Sequence, residues 1–185
     1  MTMSPRVETP VWDLPTRLFH WSLVVLVGTN LFLIGPRGGL DTVIHFVAGY
    51  VIFGLLVFRL AWGFIGSPRS RFADFVHRWP TVSAYLGRLL RFNPPHSVGH
   101  NPLGGWMIVF LIASIALTGF TGWIYTTDRY WGVKWVGELH EGLASTLLVL
   151  IALHLAGVAL ASWRHRENLV AAMLHGRKRA ENDNA

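Results

Sequence analysis

Four histidines inside long apolar segments carry the most informative chemistry of this sequence. An ionisable side chain at membrane depth is costly and marks a functional site by default. Neutral imidazole is also a common ligand of metal ions and of haem iron. The four residues are His20, His45, His140 and His154. We interpret the other five histidines, which lie in connections, in the tail or before the third apolar segment, as solvated or helix-entry residues.

The composition restricts both the class of protein and the chemistry. Hydrophobic residues make up 52% of the 185 residues and charged residues only 14%, whereas a soluble domain carries about 25% charged residues. We therefore interpret the chain as an integral membrane protein. Its net charge of +6 then indicates basic cytoplasmic loops rather than a nucleic-acid interface. The absence of cysteine excludes thiolate zinc sites, iron–sulfur clusters and covalently attached haem.

Four apolar segments are long enough to cross a bilayer, which takes about 20 residues. We predict helices over 18–35, 42–66, 103–126 and 139–163. The predicted fold class is all-α, an integral membrane four-helix bundle. One domain, 1–176, contains the bundle, and a polar, unstructured tail, 177–185, follows it. Twelve basic residues flank one side of the segments and three flank the other, so the positive-inside rule places both termini in the cytoplasm.

The connection over 67–102 contains a further helical pattern. Pro80 can begin a helix. Five apolar residues then recur at helical spacing: Val82, Tyr85, Leu86, Leu89 and Leu90. The pattern is typical of a short amphipathic helix on the cytoplasmic membrane surface, and a polar loop is the alternative interpretation.

The alternating direction of the four segments sorts the histidines into two levels. His45 and His140 lie near the outer face, while His20 and His154 lie towards the cytoplasmic face. The 14 residues from His140 to His154 correspond to about 21 Å of helix and to two heptads, so both side chains project from nearly the same side. Paired histidines that face each other across a helical bundle are typical ligands of a non-covalently held b-type haem. We therefore predict two haems b, one at each level.

Two further residue types agree with haem binding. Gly49 and Gly157 follow a histidine by four and three residues, where a small residue lets a flat macrocycle approach the helix, although membrane helix packing also favours small residues. Arg17 and Arg59 lie on the faces of His20 and His45, where a guanidinium can neutralise haem propionates. For Arg17 the alternative is a role as a positive-inside anchor.

Metal transport and proton relay are competing interpretations of buried histidines. A transporter would usually add acidic or sulfur ligands, and a relay would need carboxylates chained across the membrane. The only carboxylates near a candidate ligand are Glu138 and Glu141, at a helix mouth. The residues alone favour haem and leave a haem-free transporter or scaffold open.

The motifs resemble those of the bacterial cytochrome b561 family and of the related cytochrome b subunit of nickel–iron hydrogenases. The resemblance spans nearly the whole chain in order, and these motifs carry it: WDLPTRLFHW from Trp12, IHFVAGY from Ile44 with Arg59, GHNPLGG from Gly99, LHEG from Leu139, and Leu153-His154. It implies that the same four histidines are haem ligands. It also implies a four-helix bundle with two haems.

The resemblance further implies transmembrane electron transfer in the bacterial inner membrane. We expect electrons to pass between the quinone pool and a periplasmic partner such as a c-type cytochrome, with a quinone bound beside one haem. Two alternatives are a superoxide:quinone oxidoreductase and the cytochrome b subunit of a hydrogenase-like complex. We predict no catalytic residues.

Overall fold

The computed structural model describes residues 8–33, 40–91 and 100–179, which are mainly helical. The helices are α1 (Leu14–Gly28), a π-helical turn (Thr29–Leu33), α2 (Leu40–Ile65), a 3-10 turn (Pro68–Ser70), α3 (Phe72–Phe75), α4 (Trp79–Leu90), α5 (Pro102–Tyr125), α6 (Lys134–His165) and α7 (Leu169–His175). Two short strands, β1 (Glu8–Pro10) and β2 (Arg177–Arg179), pair antiparallel.

Three helices in the described ranges, α2, α5 and α6, are long and apolar enough to cross a membrane. The bounds of α2 and α5 agree with the predicted segments to within two residues. Helix α6 begins at Lys134 rather than Leu139, so His140 lies in its second turn instead of at its start. Helix α1 begins four residues before the predicted Leu18 and gives way to the π-helical turn after Gly28. The last two residues of that predicted segment, 34–35, lie outside the described residues.

The chain divides into two compact units, and the second contains all four candidate histidines. It comprises Leu18–Ala61 and Met107–His154. Helices α1, α2, α5 and α6 all contribute to its apolar core, whose buried residues are Phe19, Val27, Ile52, Leu56, Ile115 and Leu147. Large apolar side chains elsewhere on these helices are exposed, such as Val25, Val57 and Val149. An apolar core inside an apolar exterior is the arrangement that lipid as a solvent permits.

The first unit contains β1, the chain up to Arg17, Trp62–Trp106 and the chain from Leu155 onwards. Phe75 is fully buried in it, and a Cβ atom at Gly105 would clash with the Phe75 carbonyl oxygen. Glycine at 105 therefore allows the start of α5 to approach the end of α3. The side chain of Asn101 accepts a hydrogen bond from the Gly104 amide at 2.7 Å, and Pro102 occupies the first helical position, which together are a typical helix start.

The amphipathic segment after Pro80 is confirmed as a helix, α4, and the polar-loop alternative is wrong. Val82 and Tyr85 are buried, whereas Trp79, Leu86 and Leu90 are exposed on another face. Burial raises the pKa of the Tyr85 hydroxyl, although the nearby Arg164 guanidinium opposes this. Contact of the exposed apolar face with lipid remains a prediction.

The expectation of an unstructured tail from Arg177 onwards is wrong for its first three residues. Strand β2 pairs Arg177, Lys178 and Arg179 with Pro10, Thr9 and Glu8. Gly176 has a left-handed backbone (φ +80°), which turns the chain after α7, and its carbonyl oxygen accepts hydrogen bonds from the amides of Val11 and Trp12. Residues 180–185 of the predicted tail lie outside the described residues.

Asp13 is the main polar contact between the N-terminal segment and the loop after α2. Its carboxylate accepts hydrogen bonds from the Ser67 hydroxyl at 2.5 Å, the Ser70 hydroxyl at 2.7 Å and the Trp62 indole at 3.0 Å. The Thr16 amide donates to the other oxygen at 2.8 Å. Burial alone would raise the pKa of Asp13, but these hydrogen bonds outweigh it and hold the pKa well below the usual range of a carboxyl.

We predict that Asp13→Asn destabilises the protein by about 1 to 2 kcal/mol, because the NH2 group that replaces one carboxylate oxygen cannot accept from the donors around it and the side chain carries no charge. The folded-state pKa is lowered, so the carboxylate's contribution is complete above about pH 4, the ordinary carboxyl pKa, and is lost as the pH falls below it. Thermal unfolding in detergent should therefore separate wild type from variant at neutral pH, and the gap should narrow in acid. Asp74→Asn, at an exposed residue of α3, is the control. Equal midpoints for wild type and Asp13→Asn at neutral pH would contradict the prediction.

Candidate haem-binding site

His45 of α2 and His140 of α6 lie next to each other in the second unit. Their ring centroids lie 6.1 Å apart, and the ring planes are inclined by 83°. A bond from a metal to an imidazole nitrogen is about 2 Å long, so two imidazoles on opposite sides of one metal have centroids about 6 Å apart. The distance between the two rings therefore fits ligation of one iron from both sides.

A hydrogen bond fixes the orientation of the His140 ring. Its Nδ1 atom lies 2.9 Å from the Thr118 carbonyl oxygen and 3.3 Å from the Thr121 hydroxyl. A carbonyl oxygen only accepts, so Nδ1 carries the hydrogen and donates it, and Nε2 keeps its lone pair for a metal. Such an outer hydrogen bond is the usual way in which a protein sets the tautomer of a ligating histidine.

Gly122 of α5 provides the space that the His140 ring occupies. A Cβ atom at residue 122 would lie 2.9 Å from Cε1 and 3.2 Å from Nδ1 of this ring. Glycine is therefore required for the close contact between α5 and the imidazole. Sequence reasoning missed both Thr118 and Gly122, because the rotation of α5 relative to α6 cannot be read from spacing within either helix.

His20 of α1 and His154 of α6 are also in the second unit. The Nδ1 atom of His20 is buried and has no hydrogen-bond partner among the described residues. A buried polar atom of this kind is costly and is typical of a site that holds a bound group. His154 follows His140 by 14 residues on α6, so the second pair lies about 21 Å of helix away from the first.

Arg59 and Gly49 lie on α2 with His45. Arg59 is only 3% exposed, which is unusual for a cation on a membrane helix and is tolerated where the charge is balanced. A Cβ atom at Gly49 would meet nothing within 4 Å, so packing among the described residues does not require this glycine. The roles of both residues in contacting a bound group remain predictions.

The other predicted residues lie in the first unit. Arg17, in the first turns of α1, and Gly157, on α6, belong there, and their roles towards haem remain predictions. His100 packs its ring against Trp12 at 4.4 Å and Phe75 at 4.8 Å. This position agrees with the expected role at the entry of α5.

The donor set fits b-type haem. Two imidazoles, those of His45 and His140, lie at a distance that suits one iron, and Arg59, a buried arginine, lies in the same unit. Among the described residues, no group of three or more His, Asp or Glu side chains is arranged to hold a bare metal ion. Haem needs only two protein ligands because the macrocycle supplies the other four.

Comparison with known proteins agrees with this chemistry. A family described as prokaryotic cytochrome b561 matches residues 11–176. A probable Ni/Fe-hydrogenase B-type cytochrome subunit of Azotobacter vinelandii is 29% identical over 70% of this chain and 64% of its own length. Its counterpart in Azotobacter chroococcum is 28% identical over 94% and 89%. A probable Ni/Fe-hydrogenase 1 B-type cytochrome subunit of Escherichia coli K12 is 30% identical over 60% and 58%.

The chain thus spans less than two thirds of the length of the A. vinelandii and E. coli relatives. No solved structure matches the chain.

We predict that Gly122→Ala lowers the haem content of the purified protein. The added methyl group would push the His140 ring away from Thr118 and disturb its alignment with His45. Gly54→Ala is the matched control, because a Cβ atom there meets nothing within 4 Å and Gly54 lies in the same unit. The ratio of haem to protein, measured by absorbance, should fall only in Gly122→Ala. An unchanged ratio in both variants would show that the His140 position does not control haem binding.

Proposed function

The chain belongs to the prokaryotic cytochrome b561 family, and from this premise we propose that it transfers electrons across the membrane through two b-type haems. As a member of the family it is a multi-pass protein of the bacterial inner membrane that transfers electrons through haem b. The observation that carries the proposal is the opposed pair of His45 and His140 at 6.1 Å, with the Nδ1 atom of His140 hydrogen-bonded to Thr118.

His45 and His140 would hold the outer haem, and His20 and His154 would hold the inner one. The inner assignment is supported by the presence of both residues in the second unit. Arg59 would balance the negative charge of haem propionates, and Gly49 would let a macrocycle approach α2. The corresponding roles of Arg17 and Gly157 remain predictions from the sequence.

When bound, haem would supply one-electron chemistry. The residues of this chain would determine how the iron is ligated and how far water is excluded from it. Two histidines at each level would hold the iron from both sides, which would favour electron transfer over oxygen binding. The hydrogen bond from His140 to Thr118 leaves the Nε2 lone pair for a metal and raises the basicity of the ring. The apolar core around Ile52, Ile115 and Leu147 excludes water from the space between the helices.

Pairing of the chain ends supports four membrane crossings. Strands β1 and β2 pair, so the two ends of the described chain lie on one side, and an even number of crossings must separate them. Helices α2, α5 and α6 supply three. Helix α1 and the π-helical turn that continues it, with 15 and 5 residues, supply the fourth. The excess of basic residues on that side supports a cytoplasmic location of both termini.

The proposed electron path runs between a quinone of the membrane and a periplasmic redox protein such as a c-type cytochrome. A hydrogenase-like partner is the second candidate, and the names of the curated relatives favour it. Oxidation of superoxide receives less support. The superoxide anion would have to be attracted by cationic side chains on the periplasmic side. One of these, Lys134, already forms an ion pair with Glu138 at 3.4 Å.

We predict that the four histidines act as two pairs. Pyridine haemochrome analysis should find that His45→Ala/His140→Ala keeps one haem, because both changes remove ligands of the same group. His20→Ala/His45→Ala should keep none, because each level loses a ligand. His165→Ala, at the end of α6, is the control and should keep both. Equal haem contents in the two double variants would contradict the pairing.

We further predict that proteoliposomes containing the protein transfer electrons from a quinol to a soluble c-type cytochrome outside. Transfer should be abolished when either histidine level is removed, because both levels lie on the path. Vesicles with His165→Ala should behave as wild type. Reduction of the quinone by superoxide, with no reaction of cytochrome c, would favour the superoxide alternative. Tight co-purification with a hydrogenase would favour the hydrogenase-like partner.

A further inference from the structure

A basic cavity in the first unit contains none of the four histidines proposed as haem ligands. Its volume is about 730 Å³, and it lies where the end of α6, helix α7 and strand β2 meet the start of α1. Four basic side chains line it against a single carboxylate: Arg17, Arg166, Arg177 and Lys178 against Glu167. Such an excess of positive charge around a concave site favours an anion.

The wall of the cavity is built around Arg17. Its Nε atom is buried without a hydrogen-bond partner among the described residues. A Cβ atom at Gly176 would lie 2.9 Å from Arg17 Nη1 and 2.6 Å from the Trp12 carbonyl oxygen. Glycine at 176 thus lets the guanidinium reach the cavity, where one of its donors still lacks an acceptor.

Arg166 has a backbone conformation that does not suit its residue type. Its φ angle is +47°, and within the described ranges it is the sole residue other than glycine with a positive φ. Glycine is favoured at such a position after a helix, because a Cβ atom is strained there. Strain of this kind is often found where a side chain has a function, and the side chain of Arg166 lines the cavity.

Lys178 is also in an unusual environment for a cation, since it is only 8% exposed. Burial, together with Arg69, lowers the pKa of its ammonium group, and Glu167 partly opposes the shift. Its Nζ atom lies 5.8 Å from the centroid of the Trp12 ring. A phosphate oxygen would compensate for the water that this ammonium group has lost.

Apolar side chains next to the cavity indicate where the anion comes from. Leu174, which lines the cavity, is 50% exposed, as is Val170 on the same helix, and Trp163 near the end of α6 is 78% exposed. Exposed tryptophan and leucine beside arginine are typical of the boundary between head groups and acyl chains. A site for a soluble anion has no need of this apolar rim.

We propose that this cavity binds the phosphate head group of an anionic phospholipid in the cytoplasmic leaflet. Basic pockets at the cytoplasmic ends of membrane helices are suited to such head groups. The proposal rests on the cytoplasmic orientation of the chain ends but not on the presence of haem, so it can fail while the electron-transfer function stands.

Native mass spectrometry of the detergent-purified protein during titration with phosphatidylglycerol tests the proposal. Wild type should retain one phosphatidylglycerol per chain in preference to phosphatidylcholine. Arg166→Gly/Arg177→Gln should bind it roughly 30-fold more weakly, since each basic residue near a lipid phosphate contributes about a fivefold gain in affinity. Arg88→Gln/Arg91→Gln removes the same charge from exposed residues at the end of α4 and should bind it as wild type does. Equal loss in the two double variants would overturn the proposal.

Two further measurements distinguish a lipid site from a structural role of Arg166 and from a site for soluble anions. Arg166→Gly alone should weaken lipid retention and leave the thermal midpoint equal or higher, because glycine relieves the strain at φ +47°. A lower midpoint would show that Arg166 has a structural role and would overturn the proposal. Inorganic phosphate that displaces the lipid at equal affinity would identify a site for soluble anions and would overturn it as well. Unchanged lipid retention with a lower haem content would assign the cavity to haem instead.

Discussion

The orientation of one imidazole ring underlies the proposed redox chemistry. The His140 ring is held by a hydrogen bond from Nδ1 to the Thr118 carbonyl oxygen and by the space that Gly122 leaves on α5. Because Nδ1 must donate to this carbonyl, Nε2 is the atom available to a metal. The distance to His45 is then a property of how α2, α5 and α6 pack around Ile52, Ile115 and Leu147. A membrane bundle can keep such a geometry because lipid offers no hydrogen bonds to backbone polar groups, so each spanning segment must remain a helix.

A second set of interactions secures the loops and chain ends. Asp13 gathers the Ser67 and Ser70 hydroxyls and the Trp62 indole, and β1 pairs with β2. These contacts join segments far apart in sequence into one unit without a large apolar core. Their polar character suits a position at the membrane surface, where water can still solvate the arginines around them. The same unit contains the basic cavity. It therefore both holds the chain ends together and presents positive charge.

The sequence is sufficient to predict the long helices and to select four histidines as candidate ligands, because apolar runs and costly ionisable residues are visible without any knowledge of packing. The start of α6 was predicted five residues late, because Lys134, Trp135 and Glu138 dilute the apolar signal of its first turns. Pairing of β2 with β1 was missed since strands of three residues, separated by almost the whole chain, have no periodicity to detect. The roles of Thr118 and Gly122 were missed because they depend on the rotation of one helix against another. The roles of Arg17 and Gly157 towards haem remain sequence predictions.

The most direct measurement is the haem content of the unmodified protein, purified in detergent and assayed by pyridine haemochrome against an amino-acid quantification. We expect two haems b per chain, with a potentiometric titration that resolves into two one-electron steps. One haem per chain would mean that one of the two histidine pairs has only a structural role. The absence of haem would contradict the proposed function as a whole and would leave the histidines to a haem-free function.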